Sequence, residues 1–290
     1  MYSYTGKTAL VTGASSGIGE AFAQILAARG MDLVLVARSA DKLRALAQTL
    51  SEQHGIRANF IPADLSHEGS AQEIYRRTQE LAIPVDLLVN NAGFGTYGVF
   101  DTLAPEREHE EIMLNVTALI DLTHAFVPAM AERKAGGVIN VASIAAFQPL
   151  PYHAVYGASK AFVLSFSLAL WAEYSKRGVR VVALCPGPTA TNFFTVLGAS
   201  EMPVMGRMHT PEAVVMAGLR VLEQGRPYAV EGRRNAFGAQ VTHLSPLALT
   251  ARVFARVMRP RKQEAKPVGE RSATSPASRA SRSSRTSKKS

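Results

Sequence analysis

Tyr156 and Lys160 stand four residues apart in Tyr156-Gly157-Ala158-Ser159-Lys160. On a helix that spacing puts both side chains on one face, where an ammonium stabilises a phenolate and lowers a pKa that starts near ~10. A tyrosine so placed can donate or accept a proton near neutral pH. Chance also produces such pairs, as an amphipathic stem beside a surface charge, so the pair needs company. Ser143 closes the apolar run Asn140-Val141-Ala142-Ser143, and Asn115 lies in Leu114-Asn115-Val116 inside a long helical stretch. A serine at a strand end is commonly a turn or cap residue, yet it is also a donor for an oxygen on which charge develops. Asparagine is a poor mid-helix residue because its side chain competes for backbone bonds, which points to a role.

A second constellation is suited to phosphate. Thr12-Gly13-Ala14-Ser15-Ser16-Gly17-Ile18-Gly19 follows one apolar run and leads into a helical pattern. Gly13 allows the tight turn, Gly17 lets backbone approach a pyrophosphate, Gly19 permits close packing, and the helix N-terminus supplies N–H groups and a favourable dipole. The next run ends Val36-Ala37-Arg38, with no carboxylate to accept from a ribose 2′-hydroxyl and a cation able to meet a 2′-phosphate. NADP is therefore expected over NAD.

These residues need a scaffold, and the periodicity supplies one. Short apolar runs at Thr8 to Val11, Leu33 to Val36, Ala58 to Ile61, Leu87 to Val89, Val138 to Val141, Val179 to Leu184 and Tyr228 to Val230 read as buried strands. Between them lie helical patterns at Gly17 to Arg29, Lys42 to Gln53, Gln72 to Leu81, Glu106 to Glu132, Ala158 to Arg177 and Pro211 to Gln224. Strand and helix alternating in this way predict a doubly wound, Rossmann-type α/β domain with a parallel sheet and right-handed crossovers. Ligands bind beyond the carboxyl ends of such strands, where both constellations fall.

The glycine spacing, with Asn90-Asn91-Ala92-Gly93, Ser143, Tyr156 and Lys160, resembles the short-chain dehydrogenase/reductase family over roughly residues 5 to 235. The resemblance implies that Asp64 and Leu65 contact adenine, that Asn90 braces the sheet beside the cofactor, and that Asn91, Ala92 and Gly93 line its site. It implies that Asn115 anchors a water linking Lys160 to solvent, and that Ser143 polarises a substrate oxygen. In Pro186-Gly187-Pro188-Thr189-Ala190-Thr191 it implies a turn against the cofactor, with Thr191 on the nicotinamide carboxamide. One departure is that Ser15 and Ser16 occupy loop positions where many NADP-preferring relatives carry a basic residue. The reaction implied is hydride exchange between NADP and a carbonyl or secondary alcohol, in a homo-oligomer. The apolar stretch 188–210 resembles a substrate lid and favours a hydrophobic ketone or acyl substrate over a small polar one. A non-enzymatic NADP-binding module is the rival reading.

Composition bounds the rest. From Arg259 onward ten Lys and Arg residues face only Glu264 and Glu270, a net +8 of the chain's +9, so the preceding 258 residues are nearly neutral and offer no stripe for specific nucleic acid. No uninterrupted apolar stretch approaches the ~20 residues that span a bilayer, and the N-terminus lacks an apolar signal core, so a cytoplasmic body is expected. Cys185, within an apolar strand, is expected to be an inert core residue. Residues 1–245 are read as the oxidoreductase domain, 246–260 as an amphipathic helix with Arg252 and Arg256 one turn apart, and 261–290 as a disordered basic Ser/Arg-rich tail. That helix is expected to pack on the body or on a second subunit, or to touch an anionic membrane peripherally.

Overall fold

Each of the seven apolar runs forms a strand in the computed structural model, which describes residues 2–191, 193 and 208–260. The strands are β1 Thr8–Thr12, β2 Asp32–Ala37, β3 Ala58–Pro62, β4 Leu87–Asn90, β5 Gly136–Val141, β6 Val179–Cys185 and β7 Tyr228–Val230. They pair in the order β3-β2-β1-β4-β5-β6-β7, every pair parallel, as the doubly wound reading requires. The helices are α1 Gly17–Ala28, α2 Ala40–His54, α3 Ser70–Glu80, α4 Pro105–Ile112, α5 Ala118–Glu132, α6 Ala154–Tyr174, α7 Pro211–Gln224, α8 Arg233–Leu244 and α9 Leu247–Val257.

Alternate strand residues feed two cores because successive side chains point to opposite faces. Val11, Leu33, Leu35, Val182 and Leu184 pack with Phe22 and Leu26 of α1, Leu43 of α2 and Leu219 of α7. Leu10, Val34, Leu88, Val138 and Val181 pack with Ile74 of α3 and Leu122, Phe126 and Met130 of α5. The segments Pro105–Glu132 and Ala154–Arg177 are long and apolar enough by composition to cross a bilayer. In the first of them α5 buries Leu122, Phe126 and Met130 against the sheet.

Three elements differ from the sequence reading. The stretch expected as one helix, Glu106 to Glu132, begins at Pro105 and is interrupted by a π-helical segment, Met113–Thr117, that carries Asn115. Such a bulge turns one side chain out of the regular ladder and is often found at functional sites. Helix α6 starts at Ala154, four residues before the expected Ala158, so Tyr156 sits in its first turn. Helix α8 was not foreseen, because its sequence RRNAFGAQVTHL has no one-sided apolar stripe. Most of the expected lid and all of the basic tail lie outside the described residues. The lid's flanks are described: Thr189 bridges in parallel to His209, Ala190 donates to the His209 carbonyl at 2.9 Å, and His209 Nδ1 pairs with Glu231 Oε2 at 2.5 Å.

Polar side chains also join the layers. Asn90 Nδ2 of β4 donates to Asn140 Oδ1 of β5 at 2.9 Å and to Thr123 Oγ1 of α5 at 3.3 Å, and Asn140 Nδ2 donates to Ser167 Oγ of α6 at 2.9 Å. All four residues are buried, so each lost partner leaves a desolvated polar group. Asn140→Ala is expected to lower stability by about 1–3 kcal/mol in urea unfolding. A change below ~0.5 kcal/mol would make this network energetically neutral.

Candidate active site

The carboxyl ends of β1 to β6 surround a cavity of about 510 Å³, closed on other sides by residues of α6 and α9. At its centre is the change of direction between β1 and β4. Gly13 turns there with φ +66°, and a Cβ on Gly19 would lie 2.2 Å from the Gly13 carbonyl oxygen, so only glycine lets α1 start this close to the strand end. Thr12 Oγ1 accepts from the Asn91 and Ala92 N–H groups at 2.9 and 3.0 Å, and Asn91 Nδ2 donates to the Thr12 carbonyl at 2.9 Å. Asn91 therefore braces the glycine turn. Asn90 points into the core between β4 and β5 and bonds to Asn140, its neighbour across the parallel pair.

The expected cofactor residues Gly13, Ser15, Ser16, Gly17, Ile18, Arg38, Asp64, Leu65, Asn91, Ala92, Gly93, Pro186, Gly187, Thr189 and Thr191 line this cavity. Gly19 does not; it is packed behind Gly13 and Asn91, and its part is to make room. Ser16 makes no side-chain capping bond to α1, which leaves the helix's first N–H groups for another acceptor. Gly17 approaches Thr191, whose Cγ2 would lie 3.0 Å from a Cβ added there, so the glycine loop and the turn after β6 meet. Arg38 is largely exposed at the rim, with Nη1 3.9 Å from Asp64 Oδ2. Asp64 Oδ1 accepts from the Ser66 N–H at 3.0 Å and its hydroxyl at 2.7 Å, a turn-forming role as well as a wall position. Burial pushes that carboxyl up, but the Ser66 hydrogen bonds and the Arg38 charge hold it below the usual carboxylate range. A cradle kept open by glycines, an uncapped helix N-terminus and a rim cation at the end of β2 fit a dinucleotide phosphate.

Ser143, Tyr156 and Lys160 also line the cavity. Ser143 caps the 3-10 turn Ile144–Phe147, its Oγ accepting from the Ala145 N–H at 3.1 Å, and its side chain is hydrogen-bonded with Tyr156. The expected lowering of the Tyr156 pKa by Lys160 is not found. Burial pushes the phenol up to about 12, Ser143 opposes the rise and Glu111 adds to it. The reason is where the lysine points: Lys160 Nζ donates to the Val141 carbonyl at 2.8 Å and lies 5.7 Å from the Tyr156 ring centre. Burial brings the ammonium itself down to about 8, opposed by Glu111 and Cys185. Cys185 is buried, its thiol pushed up to about 12 by desolvation, which agrees with an inert core residue.

Asn115 lies behind the wall, not in it. Its Nδ2 donates to the Phe94 carbonyl at 2.8 Å and to Ser159 Oγ at 3.1 Å, and its Oδ1 accepts from the Phe94 N–H at 3.2 Å. Its side chain thereby clamps the loop after β4. Two further residues at the site escaped the sequence reading. His153 stacks on Tyr156 with ring centres 4.3 Å apart, its ring nitrogen held by the Thr96 carbonyl, and burial pushes its pKa down to about 4. Glu111, without solvent exposure, accepts from Thr96 Oγ1 at 2.8 Å. Only the position of His153 three residues before Tyr156 could have hinted at it. Apolar side chains also line the cavity: Phe193, its ring centre 5.5 Å from that of Tyr156, and Phe254 and Met258 from the C-terminal helix region.

The sequence model of the short chain dehydrogenase family matches residues 7–201. The very-long-chain 3-oxoacyl-CoA reductase of Anas platyrhynchos is 35% identical over 221 residues, 74% of this chain and 68% of that one. The inactive hydroxysteroid dehydrogenase-like protein 1 of Homo sapiens is 36% identical over 191 residues, 64% of this chain; this chain spans little more than half of that protein's length, 57%. Among solved structures, a short-chain dehydrogenase from Sphingobium yanoikuyae in complex with NADPH superposes with a TM-score of 0.74 at 30% identity, covering 89% of this chain and 99% of the other.

The clamp made by Asn115 gives a test of the wall's construction. Asn115→Leu would strand both backbone groups of Phe94, and is expected to destabilise the protein by about 2–4 kcal/mol in urea unfolding. A loss below ~1 kcal/mol would show that the loop after β4 stands without it.

Proposed function

The chain belongs to the short-chain dehydrogenase family of oxidoreductases, and from that membership and the wall it presents we propose that it is an NADP-dependent reductase of a hydrophobic ketone or 3-oxoacyl compound. The observation that carries the proposal is the convergence of Ser143, Tyr156 and Lys160 on a cavity that also holds the glycine cradle and the Arg38 rim. A bound nicotinamide supplies hydride. Ser143 donates to the carbonyl oxygen as charge gathers on it, and Tyr156 gives that oxygen its proton. With its phenol pushed up to about 12, Tyr156 is protonated at neutral pH, as a proton donor to a carbonyl must be. Lys160 holds positive charge behind the tyrosine.

For the cofactor, Ala37 offers no acceptor to a ribose hydroxyl, and the contact of Arg38 with Asp64, long and exposed, costs little to give up for a phosphate. For the substrate, the apolar wall of Phe193, Phe254 and Met258 favours a hydrophobic body over a small polar carbonyl, and the Anas relative named for a 3-oxoacyl-CoA reductase points the same way. The relative named inactive keeps a non-enzymatic NADP-binding role as the second reading.

The C-terminal helix suggests where such a substrate is met. Thr250, Phe254 and Met258 turn toward the body, and Tyr97 Oη donates to the Met258 carbonyl at 2.7 Å. Leu249, Val253 and Val257, one turn apart, are 57%, 48% and 41% exposed, flanked by exposed Arg252 and Arg256. An apolar stripe beside arginines, continued by a net +8 from Arg259 onward, matches an anionic bilayer surface in both its apolar and its charged parts.

Three measurements check these readings. NADPH is expected to bind more tightly than NADH in direct titration, with Arg38→Ala shrinking the gap; equal or tighter NADH binding would overturn the cofactor assignment. Across a panel of aliphatic and aromatic ketones and 3-oxoacyl thioesters, NADPH oxidation is expected, and Tyr156→Phe should cut turnover by at least ~10²-fold with NADPH affinity nearly unchanged. NADPH binding without turnover on the whole panel would favour the binding-module reading. In flotation with anionic vesicles at low salt, the full chain should float, neutral vesicles should capture less, and Leu249→Glu with Val253→Glu should abolish binding. Failure to float, or an unaffected variant, would leave the stripe to a second copy of the chain.

A further inference from the structure

Packing alone gives no reason for a carboxyl at position 111. The residue lies in the last turn of α4 with no exposed surface, on the side of the helix turned to the protein. Its hydrogen bonding is incomplete: Oε2 accepts from Thr96 Oγ1 at 2.8 Å, and among the described residues Oε1 is buried without a partner. Glu108, one turn back on the same helix, makes the charge harder still to keep. A buried carboxylate persists when a positive charge faces it.

Helix α4 packs against α6, which carries both Tyr156 and Lys160, and the Glu111 carboxyl raises the proton affinity of each. Among the described residues the ammonium has one hydrogen-bond acceptor, the neutral Val141 carbonyl. The other titratable groups around it bring little charge at neutral pH, since His153 is pushed down to about 4 and Cys185 up to about 12. The loop after β4 is fastened between the same elements. Phe94 is clamped by Asn115 from the π segment, and a Cβ added to Gly93 would lie 3.4 Å from Lys160 Nζ. Thr96 is held by Glu111 through its hydroxyl and by His153 through its carbonyl, and His153 in turn stacks on Tyr156.

We propose that Glu111 is the counter-ion of Lys160, a positioning residue that keeps the ammonium charged behind Tyr156 and ties Thr96 over the pair. The proposal rests on the reductase reading for its consequence in turnover, not for its electrostatics. Glu111 and Lys160 are pushed toward each other, the carboxyl up to about 7 and the ammonium down to about 8, so both change charge close to neutrality. Below that interval Glu111 is neutral and Lys160 holds its proton unaided; through it, the carboxylate forms and raises the proton affinity of Lys160 and Tyr156 together.

The test needs no substrate. The Lys160 Cε resonance, assigned by its loss in Lys160→Met, is followed by ¹³C NMR across pH 5 to 11 in the NADPH-bound protein. Glu111→Gln keeps an acceptor for Thr96 and removes the charge, so the Lys160 midpoint is expected to fall by about one pH unit, while the thermal midpoint holds or rises. In the wild type the same resonance should show a second, smaller step where Glu111 titrates, a readout that stands even if the variant does not fold. An unchanged Lys160 midpoint in the folded variant, or a wild-type titration with one step only, would overturn the proposal. If the chain reduces a carbonyl, the alkaline fall of turnover should also move to lower pH in Glu111→Gln, because Tyr156 must be protonated to donate. A Lys160 shift without any carbonyl reduction would sink the reductase reading and leave the charge pair standing.

Discussion

A sheet whose seven strands all run one way has no hairpins. Every strand must hand the chain to a crossover at its carboxyl end and take it back at the far edge, and that obligation shapes the rest of the molecule. It puts helices on both faces, because the crossovers have nowhere else to lie, and so makes the strands apolar on both sides, as the two cores require. It also gathers the ends of β1 to β6 along one edge. The chain reverses its direction of winding between β1 and β4, and the loops there part to leave a cavity. Thr12, Asn91 and the two crowded glycines are the local means by which that parting is held to a fixed width.

The chemistry of the cavity follows from how little water reaches its back wall. Tyr156, Lys160, His153 and Glu111 are each displaced from their ordinary proton affinities, and in each case desolvation is the largest cause. In such surroundings a single charge acts over a longer range than it would in water. Two of these groups are aligned by backbone carbonyls, Lys160 by that of Val141 and His153 by that of Thr96.

Local patterns carried most of what could be read in advance. The strands were legible because parallel burial makes them apolar throughout, and the glycine turn and Tyr156-Lys160 pair because their parts lie within eight and five residues of each other. Asn115 was visible as an oddity in a helix, but its partners Phe94 and Ser159 are 21 and 44 residues away, so its work as a clamp was not. Glu111 was hidden among Glu106, Glu108 and Glu110, a run that looks like a solvated face; only the packing of α4 shows which of the four turns inward. The spacing of Tyr156 and Lys160 told of a shared helix face and nothing of the Val141 carbonyl that draws the ammonium aside.

The bridge between Thr189 and His209 has a consequence for how this scaffold can change. Because the two flanks are pinned together, and His209 is pinned again to Glu231, the residues between them begin and end at one place on the body. Lengthening a segment whose ends are already joined costs only about 0.6 kcal/mol per doubling of its length. Insertions or wholesale exchange between those flanks would leave the sheet, the glycine cradle and the proton-handling groups where they are. The molecule is in this sense divided into a part that must be inherited intact and a part that can be rewritten.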